Sequence, residues 1–260
     1  MSKRLHRRNF FRATAALVAG WHALPILAQQ TPAATPPRLT HMKLQTHKMD
    51  ELRRFYGKTL GLPATSSANA LSIVTGPSEM QFSHAAPASE PFYHFAWNIP
   101  ENQFKEAKDW LSKRTPLLKD STTGKDEVHF ASWNAHAVYF RDPAGNIGEF
   151  IARHTLKNGT TKAFSEQSLL CVSEIGLVTN DVKTISSDLS KKLDWAKTSG
   201  EMSFVGDGMG YLIVAPIGRP WLPDRIQKAL VAPVEVSIAQ SLNNPIRWPD
   251  QPFTINGSKH

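Results

Sequence analysis

A unit written three times constrains this chain more than any other feature: a short alternating strand, a polar turn, then an amphipathic helix. The copies open at Leu39 to Leu44, Phe92 to Trp97 and Val172 to Leu177. Helical stripes follow, with Leu52, Phe55, Tyr56 and Leu60 in the first, Phe104, Ala107, Trp110 and Leu111 in the second, and Val182, Ile185, Leu189 and Leu193 in the third. Each stripe needs a sheet to cover. After the first helix come β-rich runs at 70–75 and 79–84. After the second come runs at 127–131, 137–141 and 147–152, separated by turn residues. The unit is therefore βαβββ, and two complete copies fill residues 38–154. Copies three and four are degenerate: strands at 211–215 and 234–239 are recognisable, and the tail after Gln240 is polar and Pro-rich. The predicted class is α+β, with paired βαβββ modules forming a curved mixed-sheet cup. The expected division is a domain over 38–156 carrying the site and a degenerate module pair over 163–260, linked through the polar run 157–162.

Residues 1–28 do not belong to that fold. They combine a basic start, an apolar stretch from Ala13 to Leu27 and a small residue, Ala28, at which a peptidase could cut. Arg7 and Arg8, followed by Phe10, Phe11 and Arg12, resemble a bacterial twin-arginine signal. The apolar stretch is too short and interrupted for a membrane-spanning helix, which needs ~20 apolar residues, so no permanent anchor is expected. The expected partner is the twin-arginine export machinery, and the expected location is periplasmic or secreted. A leader over 29–37 follows. Five of the 30 basic residues lie in the first 28 positions, which hold no acid; the other 25 face 22 acidic residues. The formal charge of +8 thus belongs largely to the address, and nucleic-acid binding is not expected. The single Cys171 excludes an intramolecular disulfide, a structural cysteine zinc site and an iron–sulfur centre.

The chemistry sits on the alternating strands. Period-two alternation puts His41, Lys43 and Gln45 on one face, and His94, Ala96 and Asn98 on the matching face of the second copy. If the two repeats pair their sheets into one surface, the imidazoles converge inside the cup. Asp142-Pro143-Ala144-Gly145-Asn146 reads as a tight turn, with Gly145 supplying the positive φ, and it starts a strand carrying Glu149. A lone histidine on a strand is commonly a hydrogen-bonded core residue. Equivalent placement in two repeats plus a carboxylate points instead to a metal site with open positions, as used for non-haem Fe(II) and also available to Mn, Ni or Zn. His136 is a candidate for proton transfer, alongside its reading as pocket lining or strand surface. Trp133 and Trp221 are candidates for a pocket rim.

On the His41 strand with Phe55-Tyr56-Gly57-Lys58-Thr59-Leu60-Gly61-Leu62, the His94 strand, and the Asp142 to Asn146 turn with Glu149, the chain resembles the vicinal oxygen chelate superfamily. That superfamily includes glyoxalase I, extradiol ring-cleaving dioxygenases and fosfomycin-resistance enzymes. The resemblance implies one divalent metal, Fe(II) favoured, held by His41, His94 and Glu149. Gln81 matches the position of a fourth glyoxalase ligand, and a neutral amide there favours the three-ligand, oxygen-activating type. Glu174 and Glu235 occupy the positions of His41 and His94 in the second half, which reads as structural. The expected function is an exported metal-dependent enzyme acting on a small substrate with two adjacent oxygens, dioxygenase-like or lyase-like. The alternative is a metal-free periplasmic binding or sequestration protein of the same fold. A third reading is an assembly factor using the second half as an interaction surface. Modules of this type pair through their sheets, so a homodimer is compatible with the pattern.

Overall fold

The computed structural model describes residues 38–258; the signal over 1–28 and the leader over 29–37 lie outside the described residues. Four modules follow in chain order. The first comprises β1 (Leu39–Thr46), α1 (Met49–Arg54) running into a π-helical turn over Phe55–Thr59, β2 (Ala64–Ser66), β3 (Ala70–Thr75) and β4 (Ser78–His84). The second comprises β5 (His94–Ile99), α2 (Phe104–Ser112), β6 (Val128–Phe130), β7 (Ala135–Arg141) and β8 (Ile147–Arg153). The third holds β9 (Cys171–Thr179), α3 (Val182–Leu193), β10 (Ser203–Asp207) and β11 (Gly210–Pro216). The fourth has only strands among the described residues: β12 (Val234–Ile238), β13 (Ile246–Arg247) and β14 (Phe253–Asn256). The polar tail, which shows no periodicity in the sequence, thus supplies two short strands.

Two seven-stranded mixed sheets result, ordered β13-β14-β12-β1-β4-β3-β2 and β10-β11-β9-β5-β8-β7-β6. The class is α+β, as the alternation predicts. The partnering differs from the expectation that the first two copies share a surface. β1 pairs antiparallel with β12, and β5 pairs antiparallel with β9, so the first module shares a sheet with the fourth and the second with the third. Neither sheet respects a division between 156 and 163. The physical reason is that alternation fixes which face of a strand is apolar but not which edge it will pair with.

The first and second modules still meet, through their apolar faces. The Tyr56 ring lies between Phe82 of β4 and Trp97 of β5, with centroids 6.2 and 6.3 Å away, and Trp97 Nε1 donates to Thr75 Oγ1 at 3.1 Å. Gly76, at φ +53° in the β3–β4 turn, lies so close to Leu170 that a Cβ would fall 1.9 Å from its carbonyl oxygen. Only glycine fits that approach. The core therefore runs between the sheets, and the opposite face of the second sheet is left free to form a cup.

Candidate metal centre

The cup grows from three neighbouring strands. In β5 and β8, which run parallel, His94 is paired with Ile147 and Ala96 with Glu149; β9 brings Glu174 opposite Ala96. The turn that sets the start of β8 is the one read in the sequence. Gly145 sits at φ +87°, its N–H bonds Asp142 O at 2.9 Å, and the Asp142 carboxylate accepts from the N–H groups of Ala144 and Asn146 at 2.9 and 3.0 Å. Asn146 then accepts from Tyr93 N–H at 2.9 Å, tying the turn to the residue before His94. The motif thus holds the register that faces His94 towards Glu149.

His94, Glu149 and Glu174 are 5%, 2% and 4% exposed, and one ligand atom from each lies within 4.8 Å of the others. His94 Nε2 is 3.5 Å from Glu149 Oε2 and 3.8 Å from Glu174 Oε2. His94 Nδ1 lies 3.2 Å from the carbonyl of Ile147, which can only accept, so Nδ1 carries a proton and Nε2 is the nitrogen turned towards the carboxylates. Two carboxylates and a ring nitrogen facing one another in a buried space require protons or a cation between them. The donor set, one imidazole and two carboxylates, suits a divalent first-row ion.

Charge in the site is unevenly distributed. Burial raises the Glu149 carboxyl well above its ordinary value, helped by the charge of Glu174, against the pull of Arg153 and of the Tyr139 hydroxyl. Burial also pushes Glu174 upward, but the Arg153 guanidinium and then His94 outweigh it and hold that carboxyl low. Arg153 Nη2 bonds Glu174 Oε1 directly, and its Nε donates to Asn98 at 3.2 Å. Tyr139 is kept protonated by burial and by both carboxylates.

Above the cluster is a cavity of about 210 Å³ walled by Phe130, Trp133, Ile151, Phe204, Ile213 and Trp221. Trp221 comes from the segment joining β11 to β12 and lies over His94, ring centroids 4.8 Å apart. Gly176, two residues beyond Glu174 on β9, makes room for it: a Cβ there would be 3.0 Å from the indole. Arg141 pairs with Asp224 at 3.0 Å and anchors the same segment. Arg219 and Trp221, both lining the cavity, leave buried donors Nε and Nε1 without partners.

Of the residues singled out in the sequence, the structure brings His94 and Glu149 together, and Trp133 and Trp221 line the cavity as expected. His41 is elsewhere: it stands on β1 in the other sheet, 3.9 Å from Glu79, because β1 pairs with β12 and not with β5. Gln81, on the neighbouring β4, lies in that sheet too. His136 faces away from the cup, because on β7 it alternates with Ala137 and Tyr139; it lies against Phe104 of α2 at 5.1 Å. Glu174 takes the third place. Its place in the second half at the position of His41 was the available signal, and the lack of a third ligand in its own half concealed it. The companions come from the second module. By the same internal symmetry, Glu174 is paired with Tyr211 as His94 is with Ile147, and the position matching Glu149 is Ile213. The centre therefore has three protein donors and one apolar corner.

No protein-family model matches the chain, and no curated protein matches it. Among solved structures it is similar to a putative dioxygenase from Bacillus subtilis subsp. subtilis str. 168, with TM-score 0.51 and 15% identity over 80% of this chain and 72% of that one. It is also similar to a glyoxalase I variant from Zea mays (TM-score 0.47, 13% identity, 85% and 91% covered) and to a lactoylglutathione lyase from Agrobacterium tumefaciens (0.34, 18%, 46% and 94%). The fold is shared with that putative dioxygenase.

Proposed function

We propose that this protein is a metal-dependent enzyme of the vicinal oxygen chelate type, in which His94, Glu149 and Glu174 hold one divalent ion, Fe(II) by preference, over an apolar pocket for a small planar substrate with two adjacent oxygens. The observation that carries the reading is the buried trio His94, Glu149 and Glu174, with one ligand atom from each within 4.8 Å of the others. A divalent ion held there supplies an electrophilic centre for paired oxygens and, as Fe(II), electrons for oxygen chemistry. The chain's own part is binding and orientation. Trp133, Phe204 and Trp221 present flat apolar walls that exclude water and take a ring by its faces. The Nε1–H of Trp221, which has no hydrogen-bond partner, and the Nε–H of Arg219, which has only the Glu201 carboxylate at 3.7 Å, are suited to oxygens at the ring's edge. Tyr139, kept protonated beside Glu149, can donate a hydrogen bond into the site without becoming charged. Ile213 leaves the fourth corner free of a protein ligand, which favours oxygen- or substrate-accepting chemistry over a closed four-ligand centre.

The test is the metal content of tag-free protein purified without chelators, beside His94→Ala and Glu174→Gln. Near-stoichiometric metal that falls by one equivalent in both variants supports the reading, and turnover of a catechol-type panel by the iron-loaded chain completes it. Equal content in all three proteins overturns it. The Arg153 bond to Glu174 supports a second reading: with Glu174 neutralised by Arg153 and Glu149 protonated, the same pocket is a metal-free site for a planar ligand. That reading predicts ligand affinity indifferent to chelators and to His94→Ala. We also propose that the protein acts after export, on the support of residues 1–28 alone. Cell fractionation checks this, with Arg7→Lys/Arg8→Lys protein expected to stay in the cytoplasm; unaltered export of that variant would exclude the twin-arginine route.

A further inference from the structure

Behind the cup, on the helix side of the same sheet, three histidines meet that the proposed reaction does not use. His129 of β6 and His136 of β7 are register partners, with rings stacked 4.3 Å apart and 7° from parallel. His154, immediately after β8, places Nε2 2.8 Å from Nδ1 of His136. Its own Nδ1 is 2.8 Å from the main-chain carbonyl of Glu101, which fixes the proton on Nδ1 and leaves Nε2 as a lone-pair donor directed at His136. His129 is exposed and the other two half-buried, so the group is open to solvent.

We propose that His129, His136 and His154 form a second, surface site for a divalent first-row cation of the Zn2+, Cu2+ or Ni2+ type. Two of the three donors already stand as a chelating pair. Metal–nitrogen bonds of about 2.0–2.1 Å span about 2.8–3.0 Å at a right angle and about 3.3–3.4 Å at the tetrahedral angle, so the observed separation fits the right-angle end and the pair must open by about half an ångström for the tetrahedral one. Without metal, His136 must donate from Nδ1–H to His154. With metal, it needs only the other neutral tautomer, its proton moved to Nε2, so that Nδ1 is free to ligate and no net charge is lost. His129 is the third donor of the proposed site; as it stands its ring is stacked on His136 and does not bring a nitrogen within 4.8 Å of both others, so ligation requires this exposed ring to rotate out of the stack. The nearby Lys108 does not oppose a cation, because Asp126 and Glu127 hold its ammonium at 2.6 and 2.7 Å. Three imidazoles with no carboxylate or thiolate among them select for ions of intermediate softness over Mg2+ or Ca2+.

The experiment is a Zn2+ titration of the full chain, purified without a tag, read by calorimetry for wild type, His136→Ala and His129→Ala. Wild type is expected to bind one equivalent more than His136→Ala, whatever the cup holds: one against none if the cup stays empty, two against one if it fills. The two sites are thereby counted separately. His129→Ala, an exposed substitution that leaves the fold intact, is expected to weaken that equivalent at least about tenfold, the lower end of what losing even an outer-sphere partner does. With Cu2+, the electron paramagnetic resonance signal should carry nitrogen splittings that diminish in His129→Ala. A His129→Ala chain that binds Zn2+ with the stoichiometry and affinity of wild type overturns the three-imidazole site, even if His136→Ala proves unfolded.

Discussion

Asp142 offers a test of how the turn at the start of β8 is held. Its carboxylate is 4% exposed and accepts four hydrogen bonds: from Tyr56 Oη at 2.9 Å, Asn146 Nδ2 at 2.8 Å, Asn146 N at 3.0 Å and Ala144 N at 2.9 Å. Burial nevertheless dominates and pushes the group up from 3.8 to about 6. The folded chain therefore keeps a proton at Asp142 that the unfolded chain has already lost. At about 1.36 kcal/mol per pH decade, that difference amounts to about 3 kcal/mol. The sign follows from proton counting: the contribution is fully present below pH 3.8 and is lost as pH rises through about 6. In Asp142→Asn it is absent at every pH. Urea unfolding of both proteins between pH 4 and 7.5 at fixed ionic strength reads the difference directly, and carboxylates common to both cancel. Wild type should lose about 2.5 kcal/mol relative to the variant across that range, nearly all of it by pH 6.5. A flat difference, or one that grows in favour of wild type with rising pH, would refute the assignment of burial as the dominant influence on this group.

Other expectations follow from the same geometry. Arg153→Met strands Glu174 in the interior and should reduce stability by about 3–5 kcal/mol in chelator-treated protein, with part of the loss recovered when a divalent ion is added. An identical loss with and without metal in urea unfolding would count against Glu174 as a ligand. Gly148→Ala places a Cβ 2.4 Å from the Phe140 ring, which Trp97, Phe150 and Phe55 hold in place, and should lower stability by about 1–3 kcal/mol; a shift below about 0.5 kcal/mol in the urea series would contradict that packing. His41→Ala should leave metal content unchanged and stability within about 0.5 kcal/mol, whereas His94→Ala removes the cup's ion; elemental analysis of the two side by side distinguishes them.

Much of this arrangement is written locally. Alternation at His94 to Ile99, the Asp142 to Asn146 turn and the helical stripe from Phe104 each depend on neighbours in the sequence, and each appears where the pattern puts it. What the residues do not encode locally is the edge on which a strand will pair. β1 and β5 each open a repeat with a histidine at its third position, and pairing with β12 in one case and β9 in the other is not written in that local pattern. That single choice moves His41 out of the site and Glu174 into it. The short strands at Ile246–Arg247 and Phe253–Asn256 were hidden for a related reason: with two and four residues they carry too little alternation to register, and only their partners make them strands.

The two sheets also explain why one carries a candidate centre and the other does not, although both place titratable groups at equivalent positions. On the first sheet, His41, Glu79, Lys43 and Glu235 keep 26%, 41%, 49% and 51% of their side-chain surface in solvent. Charges so exposed are screened, and the 3.0 Å pair between Lys43 and Glu235 is worth at most about 1 kcal/mol. On the second sheet, the segment from β11 to β12 folds Trp221 across the face, with Gly176 supplying the space. Covered in this way, the same kinds of groups lose their water and depend on one another: Glu149 is driven towards its protonated form, Glu174 leans on Arg153, and His94 faces both. The difference between a solvated polar face and the candidate centre is therefore the covering segment and not the positions of the titratable groups. It follows that the third and fourth modules, whose strand patterns are the weakest in the sequence, provide both what closes the cup and its third donor.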